Sequence, residues 1–291
     1  MDRTAPAPEK PGVVPPRVTV PSFRAAKGSG HRLAVLTAYD HPTARLLDEA
    51  GVDMILVGDS VANNVLGYDS TLPVTMEEML HHTRAVARGV KRALVVADMP
   101  YLSYHASIEE AVRNAGRFLK EAGAAAVKIE GGRRRAGVVR ALIEAEIPVM
   151  GHVGLTPQSL HAMGGYRVQG KRPEEARALL EDARVIEEAG AFALVLEGLP
   201  EPLGREITGA VGIPTIGIGA GRGCDGQVLV FHDMAGMNEG TLPRFARRYA
   251  DLAGTIRAAA RRFVEDVRDG SFPSQSEVYT APESIDRRRA R

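Results

Sequence analysis

Two ionisable residues, Lys128 and Glu130, stand inside an otherwise apolar run, "AAVKIEGG" at residues 125–132. Alternate residues of a strand share a face, so both project to the side that Ala126 also lines. The same punctuation recurs along the chain. Asp59 and Ser60 close "MILVGDS", Asp98 closes "ALVVADMP", His152 closes "IPVMGHVG" and Glu197 closes "ALVLEGLP". Each aspartate alone could be a helix cap or a turn former. His152 alone could be a hydrogen-bonded core histidine, and Glu197 a surface carboxylate. They become a set only if a fold brings the ends of separate strands to one mouth. As a set they would offer hard oxygen ligands with no cysteine beside them, which suits Mg²⁺ better than zinc. A lysine beside such a metal could neutralise a substrate carboxylate, or form a Schiff base if its pKa were depressed. Glu197, held clear of the metal, would be left as a general base.

The elements that must position these residues are legible as eight short apolar runs, beginning at Leu33, Met54, Ala93, Ala125, Ile147, Ala193, Ile213 and Gly226. Longer stretches rich in Ala, Glu, Arg and Leu separate most of them, notably Ser107 to Ala122, Pro173 to Ala189 and Leu242 to Asp269. Strands alternating with helices specify a parallel sheet. Gly51, Gly123 and Gly190 follow Ala-rich helical stretches and read as helix stops. Eight such units with no break in composition predict an α/β fold of the closed (βα)8 TIM-barrel kind, with a doubly wound open sheet as the alternative. In either fold the C-terminal ends of the strands carry the chemistry. The weakest joint lies between strands seven and eight, where only "GAGRGCDG" stands in place of a helix.

Composition narrows the function classes. Lys and Arg total 37 against 36 Asp and Glu, so no global field favours nucleic acid or an anionic membrane. Cys224 is the only cysteine, which excludes an internal disulfide and a cysteine-cluster metal site, and fits a reducing, cytoplasmic setting. No apolar run is long enough to span a bilayer, and no signal-peptide core is visible near the start. Residues 1–20, with five prolines, read as an extension, residues 21–272 as one catalytic domain, and residues 273–291 as a polar tail. "GIGAG" at 217–221 lacks the following helix and acidic residue of a dinucleotide site, and instead suggests close backbone approach or an anion site. "RRR" at 133–135 reads as a solvent-facing helix start, and His81 and His82 as helix-surface residues.

The strings "TAYD" (37–40), "VGDS" (57–60), "GYDSTLPVT" (67–75), "VKIEGG", "GHVGLTPQS" (151–159), "GGYRVQG" (164–170) and "IGIGAG" (216–221) closely resemble the ketopantoate hydroxymethyltransferase family, in order and in spacing, over residues 20 to 275. The resemblance implies a (βα)8 barrel of the phosphoenolpyruvate/pyruvate superfamily, Mg²⁺, 5,10-methylenetetrahydrofolate as one-carbon donor, a step of pantothenate synthesis and assembly as a homodecamer. By position it assigns Asp59, Asp98 and Glu130 to the metal, Glu130 through water. It assigns Asp59, Ser60, Asp98, Lys128 and His152 to the 2-oxo acid, and Glu197 to proton abstraction. One segment departs from the family: "VANNV" follows "VGDS" where many members carry Leu-Gly-Met, on what would be the folate side. Two rival readings remain at this stage. A carbon–carbon lyase of the same superfamily would need a reactive cysteine near the mouth, for which only Cys224 is available. A catalytically silent anion-binding protein would keep the charged mouth without turnover.

Overall fold

The computed structural model describes residues 16–280. Eight parallel strands close on themselves in sequence order: β1 (Leu33–Thr37), β2 (Met54–Val57), β3 (Leu94–Asp98), β4 (Ala126–Glu130), β5 (Val149–Gly154), β6 (Ala193–Glu197), β7 (Thr215–Ile218) and β8 (Gly226–Leu229). β8 pairs with β1 through Leu33–Gly226 to Leu36–Leu229, so the sheet has no edge and the open-sheet alternative is excluded. The helices are α1 (Val20–Ala25), α2 (His41–Glu49), α3 (Val61–Asn64), α4 (Met76–Gly89), α5 (Ile108–Lys120), α6 (Ala136–Glu144), α7 (Leu160–Met163), α8 (Pro173–Glu188), α9 (Glu201–Ala210), α10 (Phe231–Ala235) and α11 (Leu252–Asp269).

The described residues group into two compact units, residues up to 231 with 243–246, and residues 232–242 with those from 247 onward. The span 21–272, read from the sequence as one domain, crosses both. The first unit holds the barrel. Its interior is built by strand parity: Leu33 and Val35, Met54 and Leu56, Leu94 and Val96, Ala126, Met150, Ala193 and Val195, Ile216 and Val228 form one buried cluster. Phe23 of α1 joins that cluster and packs edge-on against Phe192, ring centroids 6.0 Å apart, beside the N-terminal ends of the strands. Val18 and Val20 pack on the same cluster, and the Val18 amide donates to the Arg92 carbonyl at 2.7 Å, so the chain is already part of the fold at Val18. Burying an aromatic or aliphatic side chain of this size stabilises by roughly 1.5–3 kcal/mol, enough for α1 to hold one end of the barrel shut.

The helix stops lie in the left-handed region, with φ of 88° at Gly51, 76° at Gly123 and 105° at Gly190. β7 and β8 pair directly through Ile216–Gly226 and Gly217–Gln227, joined by the glycine-rich loop alone. In the second unit the stretch read as helix from Leu242 begins only at Leu252. The Tyr249 amide is spent on the Met234 carbonyl at 2.8 Å, and the Asp251 side chain caps α11 by accepting from the Gly254 amide at 3.0 Å. A capping aspartate of this kind fixes where a helix starts. Residues 1–15 and 281–291, parts of the extension and tail, lie outside the described residues.

Candidate active site

The parity that fills the barrel with aliphatic residues also delivers the charges. Two residues beyond Val96 on the same face lies Asp98; beyond Ala126 come Lys128 and Glu130; beyond Met150, His152; beyond Val195, Glu197. Each therefore enters the lumen at the C-terminal end, one layer above the apolar plug. Strand register sets neighbours side by side: Asp98 opposite Lys128, Glu130 opposite His152, and Gly154 opposite Glu197. Asp59 and Ser60 follow β2 in the adjoining turn. All seven residues singled out in the sequence line one cavity of about 90 Å³.

The contacts within it form a chain. Lys128 Nζ lies 3.1 Å from Asp98 Oδ1 and 3.2 Å from His152 Nδ1. His152 Nδ1 is 3.4 Å from Glu130 Oε1, and its Nε2 is 3.2 Å from Glu197 Oε2. Asp98 Oδ2 accepts the Asp59 amide at 3.0 Å. The Ser60 hydroxyl shares a 2.8 Å hydrogen bond with the Tyr39 hydroxyl. Glu197 is the most open of the carboxylates, its side chain 17% exposed, whereas the Asp98 and Glu130 side chains are each 4% exposed. A carboxylate reachable from the mouth is the one that can exchange a proton with a bound molecule.

Burial sets the electrostatics, and neighbours decide its outcome. For Lys128, burial disfavours the ammonium, but Asp98, Glu130 and Asp59 outweigh it and raise its pKa, so the residue stays charged and the Schiff-base reading of this lysine falls away. For His152, burial and the Lys128 charge oppose protonation, yet Glu130 and Glu197 carry the pKa up to about 9. Burial, then the charges of Asp98 and Glu130, push Asp59 well above the usual carboxylate range. Burial likewise raises Asp98 against the pull of Lys128. Glu130 goes the other way: burial is outweighed by its bond to His152, the charges of His152 and Lys128 and the Gln158 amide. Four carboxylates thus face one lysine and one histidine.

That deficit of positive charge is the physical case for a cation. Among the described residues no three His, Cys, Asp or Glu side chains already converge as a ligand set, so Asp59, Asp98 and Glu130 do not form a closed cage. Mg²⁺ does not require one, because it is commonly held by one or two carboxylates with water and substrate oxygens completing the octahedron. Asp98 Oδ1, buried and without a hydrogen-bond donor other than the Lys128 ion pair, is the available oxygen.

Two contributors escaped the sequence reading of the chemistry. Gln158, inside the quoted string "GHVGLTPQS", reaches Asp59 with its side chain and Glu130 with its backbone, and Tyr104 holds Gln158 in turn. No residue type or spacing distinguishes them from ordinary loop residues. Other motifs resolve structurally. Gly221 has φ of 82°, and a Cβ there would sit 2.4 Å from Glu201 Cγ, so "GIGAG" serves close packing. "RRR" forms a 3₁₀ turn before α6, with Arg133 paired to Asp182 at 2.7 Å. His82 points inward, its Nδ1 donating to the Tyr39 carbonyl at 2.7 Å. Cys224 is fully buried just before β8, at the opposite end of the strands from the mouth, and burial raises its thiol pKa. It is not placed to serve a lyase.

A closed eight-stranded parallel barrel with acids, a lysine and a histidine at the C-terminal strand ends is a (βα)8 barrel with the layout of an enzyme, its ionisable groups gathered at one mouth. Solved structures of similar fold are phosphonopyruvate hydrolase, 16% identical with a TM-score of 0.60 over 92% of this chain and 93% of that one, and 2,3-dimethylmalate lyase, 19% identical with a TM-score of 0.57 over 93% and 92%. The sequence gives the narrower assignment: the family model for ketopantoate hydroxymethyltransferase matches residues 17–275, and the chain belongs to that family. The 3-methyl-2-oxobutanoate hydroxymethyltransferase of Carboxydothermus hydrogenoformans is 56% identical over 93% of this chain and 99% of its own length.

Proposed function

We propose that the protein transfers a hydroxymethyl group from 5,10-methylenetetrahydrofolate to 3-methyl-2-oxobutanoate with Mg²⁺ as resident ion, yielding 2-dehydropantoate and tetrahydrofolate for pantothenate synthesis. The observation that carries this reading is the shared cavity in which a mouth-facing carboxylate, Glu197, adjoins two cationic donors, Lys128 and His152, and the acid pair Asp59 and Asp98. Asp59 and Asp98 would hold the metal, with Glu130 acting through water. The Mg²⁺ complex of phosphonopyruvate hydrolase with oxalate, a small dicarboxylate, supports the same class of ligand at this mouth. When bound, Mg²⁺ supplies Lewis-acid stabilisation of negative charge on the 2-oxo oxygen.

The remaining work falls to the chain. Lys128 and His152 bind the carboxylate and 2-oxo oxygens, and Ser60, steadied by Tyr39, completes the oxo-acid pocket. Donors already aimed at an oxygen that gains charge need not reorganise as the reaction proceeds, which is where most of the rate gain originates. Glu197 takes the C3 proton, and the electron pair left on C3 forms the new bond to the one-carbon unit. Water supplies the hydroxyl oxygen, both C–N bonds of the folate methylene break, and the two freed nitrogens take one proton from that water and the one Glu197 removed, so tetrahydrofolate leaves. A cavity of about 90 Å³ is too small for a pterin, so the folate would approach from outside it, and the family resemblance puts the divergent "VANN" segment of α3 on that side. We assign the protein to the cytoplasm and to a homo-oligomer, a decamer by family resemblance. The exposed apolar face of α11 supports assembly.

Proton NMR of 3-methyl-2-oxobutanoate in D₂O with enzyme, methylenetetrahydrofolate and Mg²⁺, repeated with EDTA, tests the reading. New hydroxymethyl signals that vanish with EDTA are expected. A folded sample giving neither product nor loss of the C3 proton signal refutes it.

A further inference from the structure

Asp59 follows β2 and Glu130 ends β4, so β3 lies between them and no strand pairing fixes one carboxylate relative to the other. One residue spans that gap. Gln158, on the 3₁₀ turn Pro157–Ser159 after β5, is itself buried. Its Nε2 donates to Asp59 Oδ2 at 2.9 Å and to the Met99 carbonyl at 2.9 Å. Its Oε1 accepts the Tyr104 hydroxyl at 2.6 Å, and its backbone amide donates to Glu130 Oε2 at 3.0 Å. The Tyr104 oxygen in turn accepts the Glu130 amide at 3.1 Å, closing the network on the strand that carries Glu130.

Both amide hydrogens of Gln158 are therefore spent on acceptors, and its oxygen on a donor. A flipped amide would set Oε1 against a carboxylate and a carbonyl, two repulsive contacts, so the neighbours permit one orientation only. Each carboxylate has one oxygen pinned by this residue. The opposite oxygen of Glu130 is the one that meets His152. Because Gln158 is neutral, it donates these bonds without adding charge to a cluster already rich in carboxylates, and without the competing cation that an Arg or Lys would introduce.

We propose that Gln158, with its amide held by Tyr104, is the positioning residue that fixes Asp59 and Glu130 as one donor set across the barrel mouth. Its role in metal binding rests on the function proposed above, whereas its hold on the two carboxylates does not. Partners that orient metal-binding side chains typically account for about 10–100-fold in metal affinity.

The test uses Gln158→Leu, similar in size but without donors, and Tyr104→Phe, which keeps the ring. Mn²⁺ affinity is measured by calorimetry on the full chain, and the crystal structure of each variant is solved. Gln158→Leu is expected to weaken Mn²⁺ binding at least tenfold in a chain that still folds, with a lowered melting temperature from the unpaired Tyr104 hydroxyl and Met99 carbonyl and with Asp59 or Glu130 turned out of its present rotamer. Tyr104→Phe is expected to show a smaller loss in the same direction. Mn²⁺ affinity within twofold of the parent and both carboxylates in place would overturn the proposal. Should Gln158→Leu fail to fold, Tyr104→Phe decides by the same two criteria. If the parent protein binds no Mn²⁺, the metal reading of the site fails, and the rotamers of Asp59 and Glu130 alone decide the role of Gln158.

Discussion

At the residue scale, the division of labour between Glu197 and His152 follows from who is buried. Glu197 is the most open of the carboxylates and pairs with His152 Nε2 at 3.2 Å, so replacing it should remove proton transfer while leaving the contacts among Asp59, Asp98, Lys128 and Glu130 in place. Glu197→Gln is expected to lower C3–H exchange by about 10²–10⁴-fold while the far-ultraviolet spectrum holds. A twofold loss would remove Glu197 as the base. His152 makes a second, thermodynamic prediction. Its folded pKa of about 9 exceeds the unfolded value of 6.5, so its protonated form stabilises the fold fully below pH 6.5 and that contribution is lost as pH rises through 9. The rise corresponds to about 3 kcal/mol. Urea unfolding in EDTA should therefore show stability falling between pH 7 and pH 9.5, and His152→Gln should flatten that slope. An identical slope in the variant would assign the pH dependence to another group.

At the element scale, the active site depends on how β5 meets β6. Gly154, the last residue of β5, has φ of 102°, and a Cβ there would lie 2.2 Å from the Glu197 carbonyl oxygen. The next amide, that of Leu155, donates to the same oxygen at 2.8 Å. Gly154→Ala must strain the backbone and push the strand end that carries Glu197. It is expected to cost about 2 kcal/mol by chemical denaturation and to lower turnover, with oxo-acid affinity less affected. Equal loss of affinity and turnover would mean that the whole mouth has shifted. The same scale explains what the sequence disclosed. All eight strands were legible as short apolar runs, seven of them ending in a polar residue or glycine cluster, and parity alone put Lys128 and Glu130 on one face. Gln158 and Tyr104 were not legible, since their roles depend on hydrogen bonds between β2, β4 and the turn after β5, which exist only once the barrel has closed. The helix start at Leu252 was missed for a local reason. Residues 242–251 have helix-compatible composition, but Asp251 caps and the Tyr249 amide is engaged elsewhere.

At the scale of the whole molecule, the proposed assembly turns on α11. Among its residues none is buried, yet Ile256, Phe263, Val264 and Val267 recur at helical spacing and are 50, 55, 40 and 48% exposed. A helix holds a one-sided apolar stripe of this kind when that stripe is covered by a partner. Within its own unit the helix is secured by the Asp251 cap, the Arg257–Glu239 ion pair at 2.6 Å and the edge-on packing of Phe263 on Phe272, ring centroids 5.4 Å apart, and about half of each stripe side chain stays exposed. A second copy of the chain is the occupant that a homo-oligomer provides, and burying the exposed half of each of these side chains would contribute about 1 kcal/mol apiece. Charges placed on the stripe should then break the contact without touching the barrel. Phe263→Glu combined with Val267→Glu is expected to lower the mass measured by light scattering. Because Glu197, Lys128 and His152 all lie in the barrel unit, C3–H exchange at saturating oxo acid should change far less than the mass. An unchanged mass would assign assembly to another face. A parallel collapse of exchange and mass would mean that the site requires the assembled state.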